Sequence, residues 1–258
     1  LTPGIAIQSK LAGTYLAKSK GRGMEFDEVR HYQSGDDVRT IDWRVTARTG
    51  KVHTKLFREE KERPVFILTD LSETMRFGST LLLKSVQAAH LAALLGWHCK
   101  AQGDKLGGLV FSEQQHVLLK PLGRSKGVLR YLQALLDVHQ QQQTNQGMTL
   151  ANALAELRRV LRPGSLLYIL SDFNQLDDEA LRHLQVLKQH NEIHCCQFSD
   201  PLELYLPDNL YGEALVSAQQ GSPAVVDLNN KLKQRYQQQQ QQALAECKAK
   251  LLRQGCQW

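Results

Sequence analysis

An α/β fold is what the 258-residue sequence predicts: a doubly wound, mostly parallel sheet preceded by a β-containing appendage. Three observations predict it. Val65-Phe66-Ile67-Leu68-Thr69 and Leu166-Leu167-Tyr168-Ile169-Leu170 are continuous apolar runs, the pattern of strands buried on both faces. Each run closes on an acid within two residues, Asp70 and Asp172. The segments between such runs have helical length and pattern, and parallel neighbours need a helical crossover.

Taken in order, residues 1–23 contain Gly13, Gly21 and Gly23 and read as loop with a short helix over Ile7 to Leu16. Thr49-Gly50 is a turn between Trp43-Arg44-Val45 and Val52 to Phe57, and the second of these alternates as a strand does. After the strand at Val65, Leu81 to Ala101 is a helix stopped by Gly103-Asp104. Leu106 to Phe111 is the next strand, with His116 to Leu119 pairing beside it. A helix runs from Ser125 to about His139, and Gln140 to Gln143 is loop. Thr149 opens a helix that Arg162-Pro163-Gly164 breaks. Asp177 to His190 is helix, Ile193 to Phe198 strand, Tyr211 to Ala218 a late strand, and Lys231 onward a long helix carrying Gln237 to Gln242. The expected organisation is an appendage over residues 1–62, an α/β domain over 63–220, and a C-terminal helix over 221–258 packing on that domain.

Charge and cysteine usage narrow the function classes. Residues 1–60 carry a net +3, residues 61–230 a net −2, and residues 231–258 a net +5. The tail charges are diluted through a Gln-rich helix without aromatic platforms, so no nucleic-acid partner is expected. No apolar stretch reaches the ~18 residues of a spanning helix, so no membrane contact is expected from these residues. Cys99, Cys195, Cys196, Cys247 and Cys256 make an odd set without Cys-x-x-Cys spacing, which predicts a cytoplasmic protein and no zinc site.

Ligands of doubly wound folds bind beyond the C-terminal ends of the strands, which directs attention to Asp70 and Asp172. Asp70-Leu71-Ser72-Glu73-Thr74 places an acid and two hydroxyls on one side of a loop. With Thr149 and Asp172 these make five hard oxygen ligands, which select magnesium, manganese or calcium over zinc or copper. Two formal charges and three neutral hydroxyls leave such an ion electrophilic, with a position open to an acidic residue of a partner. The competing reading is a capped turn, because Ser, Thr and Asp are also favoured helix N-caps.

The stretch Asp70 to Met75 resembles the metal-ion-dependent adhesion site of von Willebrand factor A domains, Asp-x-Ser-x-Ser, with Thr149 and Asp172 in the positions of its distal Thr and Asp. Thr74 stands where that pattern has Ser, and Asp172 lies between Ser171 and Phe173 without the Gly common in the superfamily. Gly23-Met24-Glu25-Phe26, Val29-Arg30, Tyr32, Gly35-Asp36-Asp37, Arg39, Ile41-Asp42-Trp43 and Ala47-Arg48-Thr49-Gly50 resemble the signature of the bacterial family called domain of unknown function 58. The likeness runs from about residue 20 to 175. It implies a non-enzymatic module whose partner is a MoxR-type AAA+ ATPase or its client, acting as adaptor or co-chaperone and binding Mg2+, Mn2+ or Ca2+.

The enzymatic rival is a magnesium-dependent phosphohydrolase of haloacid-dehalogenase type, with Asp70 as nucleophile and Ser171 as the second-strand hydroxyl. That chemistry wants a second acid two residues on, where Ser72 stands and cannot protonate a leaving group. Gly123-Arg124-Ser125-Lys126 lacks the core of a phosphate-binding loop, and no His-Glu-x-x-His zinc motif occurs. The close alternation of Asp36, Asp37, Arg39, Asp42, Arg44 and Arg48 reads either as a structural ion-pair network or as a partner surface.

Overall fold

The computed structural model describes residues 24–33, 35–59, 63–140, 148–207, 209–216 and 224–258. The helix expected over residues 7–16 lies outside them, as does most of the loop expected over 140–143. The chain divides into two compact units, residues 1–61 and 62–258.

In the first unit, β1 (Met24–His31) pairs antiparallel with β2 (His53–Glu59). The segment between them holds a helix that the sequence reading did not assign, α1 (Trp43–Thr49). Asp42 sets this locally: its side chain accepts from Arg44 N at 3.0 Å and Val45 N at 3.1 Å, satisfying two free amides of the first turn. Gly50, at φ 70°, closes the helix in the left-handed conformation that glycine adopts without steric cost. The acids and bases here are partly paired, with Arg30 and Asp36 at 2.7 Å.

The second unit is built on a five-stranded sheet. Its strands are β3 (Pro64–Asp70), β4 (Lys105–Phe111), β5 (His116–Leu122), β6 (Leu166–Ser171) and β7 (Glu192–Gln197), in the order β5-β4-β3-β6-β7. All neighbours are parallel except β4 and β5. Alternation along β3 sends its side chains to two cores. Val65 and Ile67 pack with α2 (Lys84–Ala101) and α3 (Arg124–Gln140), whereas Phe66 and Leu68 pack with α4 (Leu150–Val160), α5 (Asp178–Lys188) and Leu251 of α7 (Asn230–Arg253). Helices on both faces are why β3 and β6 read as unbroken apolar runs. Gly108 of β4 faces Ile67, and a Cβ there would overlap the Ile67 carbonyl and the Tyr131 ring. Tyr131 uses that space to donate to Ile67 O at 3.1 Å and to meet Thr69 Oγ1 at 2.8 Å.

Both edges of the sheet have a distinct finish. β5 carries Lys120 and Pro121, and proline is tolerated on an edge strand because its missing amide leaves no ladder partner wanting. Along β7, Gln257 pairs as a parallel bridge: it donates to Ile193 O and accepts from Cys195 N, both at 2.8 Å. A short helix, α6 (Pro201–Leu204), and a hairpin of β8 (Gly212–Val216) with β9 (Ala224–Leu228) complete the unit.

Candidate functional site

The C-terminal ends of β4, β3 and β6 lie side by side, and the loops leaving them carry the predicted residues. Asp70 ends the central strand and is 1% exposed. Its Oδ1 accepts from Ser72 N at 2.8 Å, and its Oδ2 accepts from Ser171 Oγ at 2.6 Å. Burial pushes the Asp70 carboxyl from its usual 3.8 up to about 6; the bonds from Ser171 and Ser72 act against the rise and the nearby Asp172 adds to it.

Ser72 precedes a single 3-10 turn, Glu73–Arg76, yet its side chain makes no capping bond. Its hydroxyl instead lies 3.2 Å from Thr74 Oγ1. The capped-turn reading therefore does not account for Ser72. It does account for Thr149, whose hydroxyl accepts from Asn152 N at 3.3 Å at the start of α4. Thr149 is nonetheless tethered over the same rim. Met148 N donates to Ser112 O at 3.4 Å just past β4, and Leu150 N donates to Gln175 Oε1 at 3.2 Å in the loop after β6.

Asp172 is buried and fully engaged. Oδ1 accepts from Asn174 N at 3.0 Å, while Oδ2 accepts from Asn174 Nδ2 and from Lys84 Nζ, both at 2.9 Å. The same ammonium reaches Glu203 Oε1 at 2.6 Å. Phe173, between Asp172 and Asn174, sits at φ 59°, a left-handed conformation that is unfavourable for a bulky residue. It is held there by its N–H to Ser171 Oγ, at 2.9 Å, and by burial of its ring.

Of the five predicted residues, Asp70, Ser72 and Thr74 are thus joined by direct hydrogen bonds. Asp172 is close enough to act electrostatically on Asp70, but its own bonds go to Lys84 and Asn174. Among the described residues no hydrogen bond links Thr149 to Asp70, Ser72 or Thr74. Sequence reasoning missed Ser171 as a partner of Asp70, and missed Lys84 and Glu203 altogether. One signal for Lys84 was available: it follows Leu81-Leu82-Leu83 at the start of a helix, where the positive end of the dipole disfavours a cation.

Asp70, Ser72 and Thr74 present oxygen donors of the type a hard divalent ion takes, whereas Asp172 is paired with Lys84 and Thr149 caps α4. A buried carboxylate in need of positive charge lies beside hydroxyl oxygens not committed to caps, and oxygen-only ligands are what Mg2+, Mn2+ and Ca2+ take. Among the described residues there is no group of three or more His, Cys, Asp or Glu side chains arranged to hold a metal, so a site here depends on hydroxyls. A cleft of about 510 Å³ opens beside Asp172, lined by Asn174, Glu203, Tyr236, Glu246 and Lys250 among others.

Uncharacterized proteins of Mycobacterium tuberculosis and Mycobacterium bovis are each 29% identical over 208 residues, covering 81% of this chain. The chain spans 65% of the length of these curated relatives. Among solved structures, it is similar to the conserved hypothetical protein BatB of Bacteroides thetaiotaomicron, at 15% identity and TM-score 0.45 over 74% of this chain and 99% of that one. An aerotolerance-related membrane protein of Bacteroides fragilis matches at 16% identity and TM-score 0.44, over 69% and 88%. The manganese-loaded TRAP protein of Plasmodium vivax matches at 16% identity and TM-score 0.39, over 55% and 60%. Von Willebrand factor A domains also occur among the matches, and the doubly wound, mostly parallel α/β sheet expected from the sequence is the one observed.

The expectation of a cytoplasmic protein is corrected by these findings, since one of the matched structures is described as a membrane protein. Unpaired cysteines and a lack of apolar runs constrain these residues alone. No described helix is long and apolar enough to cross a membrane, which assigns no compartment.

The model of the family described as protein of unknown function DUF58 matches residues 28–246, and the chain belongs to that family.

Proposed function

We propose that this chain is a non-enzymatic, cation-dependent protein-binding module. Ser72, Thr74 and Thr149 supply hydroxyl oxygens to a divalent ion, Mg2+, Mn2+ or Ca2+, and Asp70 and Asp172 supply the compensating charge. An acidic residue of a partner completes the coordination. The partner is a MoxR-type AAA+ ATPase or its client, a choice resting on the family resemblance carried by the 70–75 loop and the 23–50 signature.

One observation carries the reading: Asp70 is buried at the rim of the sheet with neutral donors only, beside two hydroxyls that no backbone amide engages. An acid so placed is more stable ionised when a cation stands nearby. The phosphohydrolase alternative is weakened by Ser72, which stands where that chemistry wants a second acid and cannot protonate a leaving group.

The test is calorimetric titration of the chain with Mn2+ and Mg2+ at pH 7.5, followed by capture of the MoxR-type ATPase with and without chelator. Saturable binding that Asp70→Ala abolishes, with capture lost in chelator, is the expected result. Capture equal in both conditions and in the variant would remove the cation from the mechanism.

A further inference from the structure

Lys84 is the feature of the rim that the cation reading does not use. It is the first residue of α2, its backbone is fixed by a bond from Lys84 N to Phe77 O at 2.9 Å, and its side chain is 0% exposed. Neither its burial nor its place at a helix N-terminus favours an ammonium. Two carboxylates hold it: Asp172 at 2.9 Å and Glu203 at 2.6 Å.

The elements presenting these groups are themselves stitched together. Glu203 Oε2 accepts from Asp200 N at 2.9 Å in the capping box of α6. Asp200 in turn accepts from Ser79 N at 2.8 Å and from the Ser79 hydroxyl, in the segment that leads into α2. Lys84 and Glu203 are therefore held in register from both sides, and Asp172 is added from β6.

We propose that Lys84 sets the cation affinity of the rim: it is a built-in monovalent charge that holds Asp172 and Glu203 when no ion is bound and opposes the ion when one enters. The inference rests on the cation reading above and goes beyond it, because it assigns the strength of binding to a residue that is not a ligand. A divalent ion held through Asp172 would share that carboxylate with the Lys84 ammonium, which stands 2.9 Å from it, and like charges repel strongly in a poorly hydrated site. Glu203 works in the opposite sense, by cancelling part of that repulsion. A purely structural ion triad makes the contrary forecast: loss of Lys84 would let Asp172 move and would weaken cation binding.

Mn2+ titration of the full chain at pH 7.5 separates the two. Lys84→Met is expected to bind Mn2+ at least about tenfold more tightly than wild type, from the repulsion removed. Glu203→Gln is expected to bind about tenfold more weakly, and the double variant, with one charge of each sign removed, to return within about threefold of wild type. Unchanged or weaker binding by Lys84→Met overturns the proposal. If that variant fails to fold, Lys84→Gln, which removes the charge but keeps a hydrogen-bond donor for Asp172, takes its place, and unchanged or weaker Mn2+ binding in it overturns the proposal equally. A wild-type chain that takes up no Mn2+ defeats the cation reading itself and this inference with it, a result distinct from normal wild-type binding with insensitive variants.

Discussion

Asp70 and Asp172 leave adjacent parallel strands after similar apolar runs, yet the first is bonded only by neutral donors and the second shares a buried ammonium. The difference comes from what each strand end meets. Beyond β3 the chain turns back over its own carboxylate through Ser72, and the neighbouring strand offers only the Ser171 hydroxyl. Beyond β6 the carboxylate faces the start of α2, which delivers Lys84. Equivalent positions in the sequence pattern thus acquire different electrostatic surroundings: one acid is paired with a cation, and the other is hydrogen-bonded but has no counter-charge.

The largest effect expected from breaking this contrast is at the ion-paired end. Lys84→Met in chelator leaves Asp172 and Glu203 without their shared cation and should cost ~3–5 kcal/mol of folding stability, read by urea denaturation. At Asp70, which has no counter-charge, the sign reverses. The rise of Asp70 from 3.8 to about 6 corresponds to ~3 kcal/mol against the folded state once the group is ionised. Because the folded protein holds this proton more tightly than the unfolded chain, stability from the group is complete below pH 3.8 and is lost as pH rises to about 6. Asp70→Asn should accordingly match wild type near pH 4 and exceed it by up to ~3 kcal/mol at pH 7.5 in chelator. A constant offset across that range would mean that the charge is not the cause.

Smaller effects sharpen the same comparison. Ser171→Ala removes the hydroxyl that donates to Asp70 and supports Phe173, and should cost ~2 kcal/mol while raising the Asp70 carboxyl further, followed by the carboxyl signal in NMR titration. Thr149→Ala deletes only the cap of α4 and should cost ~1 kcal/mol in chelator. Under the cation reading it also weakens Mn2+ binding, and calorimetry on the same sample measures that second effect.

The parts of this molecule legible in the sequence were those governed by burial on both faces. Val65 to Thr69 and Leu166 to Leu170 announce central strands because no residue in them needs water, and Asp70 and Asp172 then fall where ligands of such folds bind. Local chemistry that competes with a pattern was harder to read. The helix over Trp43–Thr49 was not read, because seven residues show little periodicity and it is Asp42, by capturing two backbone amides, that starts it. The partner of β8, Ala224–Leu228, was not foreseen, because a five-residue strand carries little periodicity. Within the site, the loop hydroxyls could be found from spacing, since they lie within five residues of one another. Lys84 and Glu203 could not, because their meeting with Asp172 joins residues 88 and 31 positions from it. Only the packing of α2 and α6 over one strand end brings them together.

The finish of the two sheet edges also bears on recognition. With Pro121 and Lys120 on β5 and the Gln257 bridge along β7, neither flank offers an uninterrupted row of amides to a foreign strand. Lateral polymerisation into filaments and capture of an extended peptide by strand addition are both discouraged. At this five-stranded sheet, recognition is left to the loops beyond the strand ends, where specificity is a matter of side-chain chemistry and not of backbone hydrogen bonding.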